Sequence, residues 1–182
     1  MKKIMAVLLA AVMGMFAFTA CSNGQTKGKS LKSGTTMKQI CQKIDEDFGE
    51  DGAVAMPAEI DSNMLNEQYY VNPEDVAEFY GTNSMSMTNS DAVLAVKAKS
   101  ADKVDAIKSG LEKRKADLES QFEQYPVNGS YERAKASEVY VQGDCVFFLC
   151  VGMLPQGDYN DEDLNFSQDV AKAKGVIDTF FE

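Results

Sequence analysis

The sequence contains no histidine, so it lacks the residue most often used as a general base, a metal ligand or a pH switch near neutrality. Tryptophan is also absent, and 18 lysines and arginines face 28 aspartates and glutamates, for a formal net charge of −10. An acidic chain without a basic tract repels polyanions, so we expect no nucleic-acid partner. None of the four cysteines forms a Cys-x-x-Cys motif, and we therefore expect no metal and no other cofactor.

The first 20 residues have the three parts of a secretory signal peptide. Lys2 and Lys3 give a positive start, residues 4–18 are apolar apart from Gly14, and the small pair Thr19-Ala20 follows. The apolar run is shorter than the ~20 residues that a membrane-spanning helix needs. We therefore assign residues 1–20 to a signal peptide rather than to a transmembrane anchor.

The four residues Phe18-Thr19-Ala20-Cys21 resemble the lipobox of bacterial lipoproteins, although phenylalanine stands where leucine is usual. The resemblance implies cleavage between Ala20 and Cys21 and attachment of diacylglycerol to the Cys21 sulfur. It places the protein at the cell membrane, on the extracytoplasmic face, with the membrane contacted through the lipid. Two acyl chains, at ~0.8 kcal/mol per buried methylene, give an effectively permanent anchor. The alternatives are an ordinary cleaved signal with an incidental cysteine and an uncleaved anchor.

Beyond the cysteine, the sequence predicts a tether and then one folded domain. Residues 21–34 are polar and rich in glycine, serine and lysine, which is typical of a flexible tether. Residues 35–182 carry helical and strand patterns and predict a single α+β domain. We expect an antiparallel sheet of about four strands, arranged as two hairpins and packed with a long helix and with N- and C-terminal helices.

Three segments show helical periodicity. Thr36 and Gln39 form a capping box before a helix over 37–48, and Asn165 or Ser167 can cap a C-terminal helix. Residues 100–125 carry one apolar stripe, with Gly110 costing ~1 kcal/mol relative to alanine. The charged residues at 112–119, including Arg114, are expected to form the solvated face of that long helix. Asn72 and the residues after it predict a further short helix that ends at Gly81.

The clearest strand signal lies at 138–150, where Gly143-Asp144 separates two β-rich runs and predicts a tight hairpin. The pairing places Val139 and Val141 on one face, with Val146 and Phe148, and Tyr140 on the other, with Cys145, Phe147 and Leu149. Both faces of the second strand are apolar, so that strand is expected to be central, with helix on one side. A second hairpin is expected from strands at 84–87 and 92–99, and residues 64–71 are expected to be extended.

Three cysteines remain in the predicted domain. Cys145 and Cys150 point to opposite faces of one strand because their separation of five is odd, so they cannot bridge each other. Cys41 is able to pair with either one. The alternative is that all three are small buried hydrophobic residues.

No stretch of the sequence specifies a reaction. Ser84, Ser86 and Ser90 have no histidine to activate them, so a serine nucleophile is disfavoured. A carboxylate pair, drawn from Glu59, Asp61, Glu74 and Asp75, would suit glycoside hydrolysis, but Glu74 and Asp75 are explained by a helix start. Residues 158–169 match part of a calcium loop but lack the glycine at its sixth position. Three rings are candidates for a sugar- or peptide-binding groove, with core packing as the alternative explanation: Tyr69, Tyr70 and Tyr80.

Three features resemble the domain-of-unknown-function family numbered 4358: the Tyr80-Gly81 step, the block from Met85 to Tyr125 and the hairpin from Val139 to Gly152. The resemblance covers roughly residues 37–155 and implies a secreted lipoprotein, without an activity or functional residues. We therefore expect a cell-envelope lipoprotein that binds or scaffolds an envelope protein or wall polymer and is not an enzyme. The alternatives are a wall-polymer hydrolase with a carboxylate pair and an accessory subunit of a transporter.

Overall fold

The computed structural model describes residues 29–160 and 164–182, so the predicted signal peptide, Ala20 and Cys21 lie outside the described residues. The domain is α+β, as predicted, but its antiparallel sheet has five strands rather than four. The strands are β1 (Pro57–Glu59), β2 (Val76–Ser84), β3 (Ala92–Ala98), β4 (Glu138–Gln142) and β5 (Cys145–Cys150), in the spatial order β1-β2-β3-β5-β4. The helices are α1 (Met37–Asp47), α2 (Ser62–Glu67), α3 (Val104–Glu123), α4 (Ser130–Ala136) and α5 (Ser167–Asp178).

Helices cover both faces of the sheet, which gives three layers. Alternate residues of a strand point to opposite faces, and the two central strands are apolar on both. Leu94, Val146 and Phe148 pack in one core with residues of α2, α3 and α4. Val93 and Phe147 pack in a second core with residues of α1 and α5. The predicted central position of β5 is therefore confirmed, with helices on two faces instead of one.

The predicted hairpin at 138–150 is confirmed in its position, in its register and in the sheet face to which each side chain points. Val139 pairs with Phe148 and Tyr140 pairs with Phe147, and their side chains reach the two cores as the alternation requires. Gly143 has a φ of 58°, a left-handed conformation that glycine adopts without strain. The capping box is confirmed as well, since Thr36 Oγ1 accepts from Gln39 N at 3.2 Å and Gln39 Oε1 accepts from Thr36 N at 2.9 Å.

Two predictions for residues 64–81 are wrong. The segment 64–71 is not extended: it begins within α2, where Asp61 Oδ1 accepts from Met64 N at 2.7 Å and so caps the helix. The helix predicted after Asn72 is a single 3₁₀ turn, Pro73–Asp75, and the chain then enters β2. A bulge between Val76 and Glu78 keeps Val76 and Phe79 on one face at a spacing of three. That spacing imitates a helix in the sequence.

Other differences concern connections. The strand predicted at 84–87 is the end of β2 and a loop, because the partner of β3 is β2 itself. Helix α4 was not predicted, and Gly129, with a φ of 63°, directly precedes it. At the start of α5, Asn165 Oδ1 accepts from Ser167 N at 3.0 Å, whereas the N-cap position belongs to Phe166. Among the described residues, no helix is long and apolar enough to cross a membrane.

The sheet has two ends, and the chain enters the domain at one of them. Ser30 N donates to Glu182 O at 2.8 Å and Lys32 N donates to Phe180 O at 2.9 Å. Gly143, in the β4–β5 turn, lies against the Lys29 carbonyl. We call this the entry end. Backbone pairing thus begins at Ser30, inside the segment 21–34 that the sequence assigned to the tether.

The opposite end of the sheet carries the loop between β2 and β3. Here Asn83 pairs with Ala92, and Ala92 pairs with Cys150. The last turns of α1 and α3 reach the same end, because both helices begin near the entry end and run antiparallel to β3. We call this the cleft end.

Candidate functional site

A polar cleft of about 190 Å³ opens at the cleft end, between α3 and the loop formed by residues 85–91. Its apolar side is formed by Leu118 and Phe122 of α3. The remaining lining includes Met87 and Ala92 but consists mostly of hydroxyl and amide groups with one arginine and one aspartate: Gln68, Asn83, Ser84, Ser86, Asn89, Ser90, Gln121, Arg114 and Asp91. Such groups bind a ligand through directed hydrogen bonds, so the cleft is the candidate functional site.

Arg114 reaches the cleft because it lies on the buried side of α3. The apolar stripe of this helix runs through Leu111 and Leu118, a gap of seven residues. Arg114 falls three residues after the first and four before the second, which places it on the same face. It is half-buried, and the assignment of Arg114 to the solvated face is therefore wrong. The gap in the stripe was a signal in the sequence, but it fits Lys115 as well as Arg114 and does not choose between them.

Four polar atoms in or beside the cleft are buried without a hydrogen bond of good geometry among the described residues: Arg114 Nε, Asn83 Oδ1, Asp91 Oδ1 and Tyr69 Oη. Asn83 Nδ2 donates to Ser84 O at 3.2 Å, which leaves its carbonyl oxygen unused. The Arg114 guanidinium carbon lies 5.1 Å from the centre of the Tyr69 ring. Burying such atoms without hydrogen-bond partners is costly. This part of the cleft is therefore suited to a ligand that supplies the missing partners.

Burial affects the pKa of the tyrosine beside Arg114. Desolvation raises the pKa of Tyr69 to about 12, although the charge of the neighbouring Arg114 guanidinium and its hydrogen bonding both lower it. The hydroxyl is neutral at physiological pH, as an ordinary tyrosine is, and is able to donate or accept a hydrogen bond. Arg114 is the only cation among the described residues that line the cleft.

A buried ion pair holds the loop 85–91 in place. Arg133 Nε of α4 lies 2.9 Å from Asp91 Oδ1, and the two side chains are only 2% and 6% exposed. The Nε–H points to Gly152 O at 3.1 Å, so the contact with Asp91 is an ion pair without hydrogen-bond alignment. Asp91 Oδ2 accepts from Ala55 N at 3.2 Å. The pair thereby joins the loop to α4 and to the segment before β1.

The other side of the loop forms a second concavity of about 200 Å³. Asp91 lines this concavity as well as the cleft, and Arg133 lines the concavity alone. Methionine side chains are exposed around this end of the domain. Met56, Met85 and Met87 are 62%, 63% and 91% exposed, and Met85 N donates to Met56 O at 3.0 Å. Flexible methionines of this kind are common on surfaces that contact other molecules.

The structure does not bring together the three tyrosines predicted as a ligand-binding set. Tyr69 is fully buried in the core beneath α3, where its ring packs edge-on against Phe148. Tyr70 lies outside that core, with a φ of 57° and its hydroxyl donating to Asp117. Tyr80 faces α1 on the opposite side of the sheet. Only Tyr69 adjoins the cleft, through Arg114.

The carboxylates considered for hydrolysis occupy separate positions. Glu59 is exposed on the edge strand β1, Asp61 caps α2, and Asp75 pairs with Lys103 at 2.9 Å. Glu74 lies in the 3₁₀ turn between α2 and β2, where its backbone N–H donates to Asn72 Oδ1.

The candidate calcium loop, 158–169, contains residues 161–163, which lie outside the described residues. At its end, Asp169 Oδ2 accepts from Met153 N at 3.0 Å. Among the residues that the structure describes, no group of three or more cysteines, aspartates or glutamates is arranged to hold a metal ion.

The Ser90 hydroxyl and the three thiols of the domain make local contacts. Ser90 Oγ donates to Ser130 O at 2.8 Å. Cys41, Cys145 and Cys150 are free and buried, so neither disulfide considered from the sequence is present. Desolvation raises the pKa of Cys41 and of Cys150 to about 12. These two thiols are therefore protonated at neutral pH and are weak nucleophiles.

One family model, described as "Domain of unknown function (DUF4358)", matches residues 50–151 of the chain. The matched span is more than half of the sequence and contains the cleft residues Asn83 and Arg114 together with the Asp91–Arg133 pair. No curated protein and no solved structure matches the chain.

Proposed function

The chain belongs to the DUF4358 family, whose description names no activity, and we propose from its own residues that it is a lipid-anchored lipoprotein of the cell envelope. Its role is to bind or scaffold a component outside the cytoplasmic membrane, without catalysis. The lipid is carried by Cys21 after cleavage of the signal peptide. The folded domain presents the polar cleft as its binding site.

One observation carries this proposal: the cleft and the exposed methionines lie at the opposite end of the sheet from the point where the chain enters. An anchor at Cys21 leaves residues 21–28 before the first described residue, a segment that reaches at most about 28 Å when extended. The seven residues of β3 separate the two ends by about a further 23 Å. This arrangement supports a binding surface that lies away from the anchor.

The chemistry of the cleft supports binding over catalysis. Its charged side chains are Arg114 and Asp91, and Asp91 is already paired with Arg133. This set is suited to holding a ligand and offers no free base beside a nucleophile. Acidic side chains elsewhere, such as Asp61 and Asp75, already act in capping and ion pairing.

The proposal is tested by comparing Cys21→Ala with wild type in cells fractionated into membrane and soluble parts. We expect wild type in the membrane fraction, and Cys21→Ala either released or retained as an uncut precursor. Ser22→Ala is the matched control, because it changes the next residue and leaves the modified thiol intact. Normal processing of Cys21→Ala, with an unchanged membrane fraction, would reject the anchor.

A further inference from the structure

We propose that the cleft binds a small molecule that carries one carboxylate and at least one hydroxyl or amine hydrogen. Arg114 donates to the carboxylate, and Asn83 Oδ1 accepts the hydrogen. This inference rests on the proposed binding role and specifies the chemical class of the ligand.

The first argument concerns charge. The protein has a net charge of −10, yet Arg114 forms no ion pair with any carboxylate of the described residues. Nearby lysines of the same helix do form such pairs, as Lys113 does with Asp117 at 3.3 Å. The polar group beside the guanidinium is the neutral Tyr69 hydroxyl, which leaves the positive charge without a carboxylate partner. A ligand carboxylate supplies that partner, because its two oxygens match the planar donor fork.

The second argument concerns hydrogen-bond polarity. Asn83 donates one amide N–H to Ser84 O, and its buried carbonyl oxygen has no partner. A ligand that presented nothing but acceptors would leave this oxygen unsatisfied. The hydroxyl of Ser86 lies 3.0 Å from that of Thr88, and this pair is able to reorient toward further polar groups of the ligand.

The third argument concerns size and charge count. A cavity of about 150 Å³ holds benzene, so a cleft of about 190 Å³ accommodates roughly six to twelve non-hydrogen atoms. That range includes amino acids and small hydroxy acids such as glycerate. A single guanidinium beside the Asp91 carboxylate favours a monoanion over phosphate, which carries more negative charge.

The test is an NMR titration of the full chain in detergent micelles with matched probes. Glycerate is compared with glycerol, and L-serine with L-serinamide, so that each pair differs in the carboxylate. Inorganic phosphate is the third arm. The readouts are the Arg114 side-chain Nε–H signal and the backbone amides of the loop 85–91. We expect at least one carboxylate probe to bind ten- to a hundred-fold more tightly than its partner, the range expected for one charge-assisted bond.

Variants separate a ligand site from a water-filled cleft. Arg114→Gln should abolish the advantage of the carboxylate probe, whereas Lys108→Gln, an equal loss of charge on the same helix, should retain it. Asn83→Asp keeps the size of the side chain and places a second carboxylate in the cleft. It should weaken binding of the carboxylate probe at least tenfold, even if Arg114→Gln fails to fold.

Three results would overturn the inference. They are equal affinity for both members of each pair, tighter binding of phosphate than of any carboxylate probe, and unchanged loop signals with every probe up to about 50 mM, far above a millimolar Kd. Membrane fractionation of the same wild-type chain distinguishes the two proposals. If the carboxylate probes fail while the chain remains in the membrane fraction, the proposed ligand class is rejected and the proposed anchoring is not.

Discussion

Removing Asp91 should destabilise the domain more than removal of an exposed charge. Its partner Arg133 is 2% exposed, and the two charged atoms are 2.9 Å apart. In Asp91→Ala the guanidinium stays buried without a counter-charge, and the Ala55 N–H loses its acceptor. Removing one partner of a buried ion pair lowers the free energy of unfolding by about 3–5 kcal/mol. That is a large part of the 5–15 kcal/mol typical of a domain.

A double-mutant cycle isolates the interaction itself. Arg133→Met removes the charge and keeps much of the volume, so the double variant Asp91→Ala/Arg133→Met contains neither buried ion. We expect the double variant to lose less free energy of unfolding than the sum of the two single losses, by at least about 1.5 kcal/mol. Lys97→Met is the control, because its pair with Asp144 is half-exposed and 4.0 Å apart. It should cost at most about 1 kcal/mol.

The pH dependence of Arg133→Met adds a second check with a defined sign. Burial already raises the pKa of Asp91, and Arg133 opposes that effect. Without the arginine, the native carboxyl binds a proton more tightly than the unfolded one, so acidification favours the native state. The destabilisation of Arg133→Met should therefore be greatest at neutral pH and shrink as the pH falls through the raised pKa.

Urea unfolding followed by far-UV circular dichroism measures all of these variants, since the chain has no tryptophan. The reasoning is refuted if Asp91→Ala costs under about 1 kcal/mol, or if the two single losses simply add in the double variant.

Two further predictions concern close packing and buried thiols. A methyl group at Gly110 would overlap the Tyr70 carbonyl, whereas Gly175 has open space. Gly110→Ala should thus destabilise the domain by about 1–3 kcal/mol in urea, and Gly175→Ala should stabilise it by about 0.5–1 kcal/mol; stabilisation by both would contradict the packing. Unfolded thiols ionise near their ordinary pKa of 9.0, but native Cys41 and Cys150 stay protonated to about 12. Stability should therefore fall above pH 9, by about 1.4 kcal/mol per pH unit for each thiol, and the Cys41→Ala/Cys150→Ala chain should show a shallower decline.

The sequence was sufficient for elements whose signals are local. The β4–β5 hairpin has regular alternation and a glycine turn, and its two apolar faces identified β5 as a central strand. Helix α1 carries its own capping box. Such features depend on neighbouring residues alone and do not require knowledge of the tertiary partner.

The sequence was insufficient where tertiary contacts override local patterns. Asn72 does cap a helical turn, as predicted. The residues after that turn pair with β3 and therefore form a strand rather than a longer helix. The bulge in β2 hides the strand periodicity. The cleft was missed for a related reason, since Arg114 resembles its charged neighbours until α3 is packed on the sheet. The predicted tyrosine set failed to converge because Tyr69 and Tyr80 belong to opposite faces.

The most direct test of the account is intact mass spectrometry of the chain purified from the membrane fraction. The account predicts a first residue of Cys21 and a mass increased by a diacylglyceryl group on its sulfur. A chain that begins at any other residue, or at Cys21 with an unmodified thiol, would contradict an envelope-anchored binding domain.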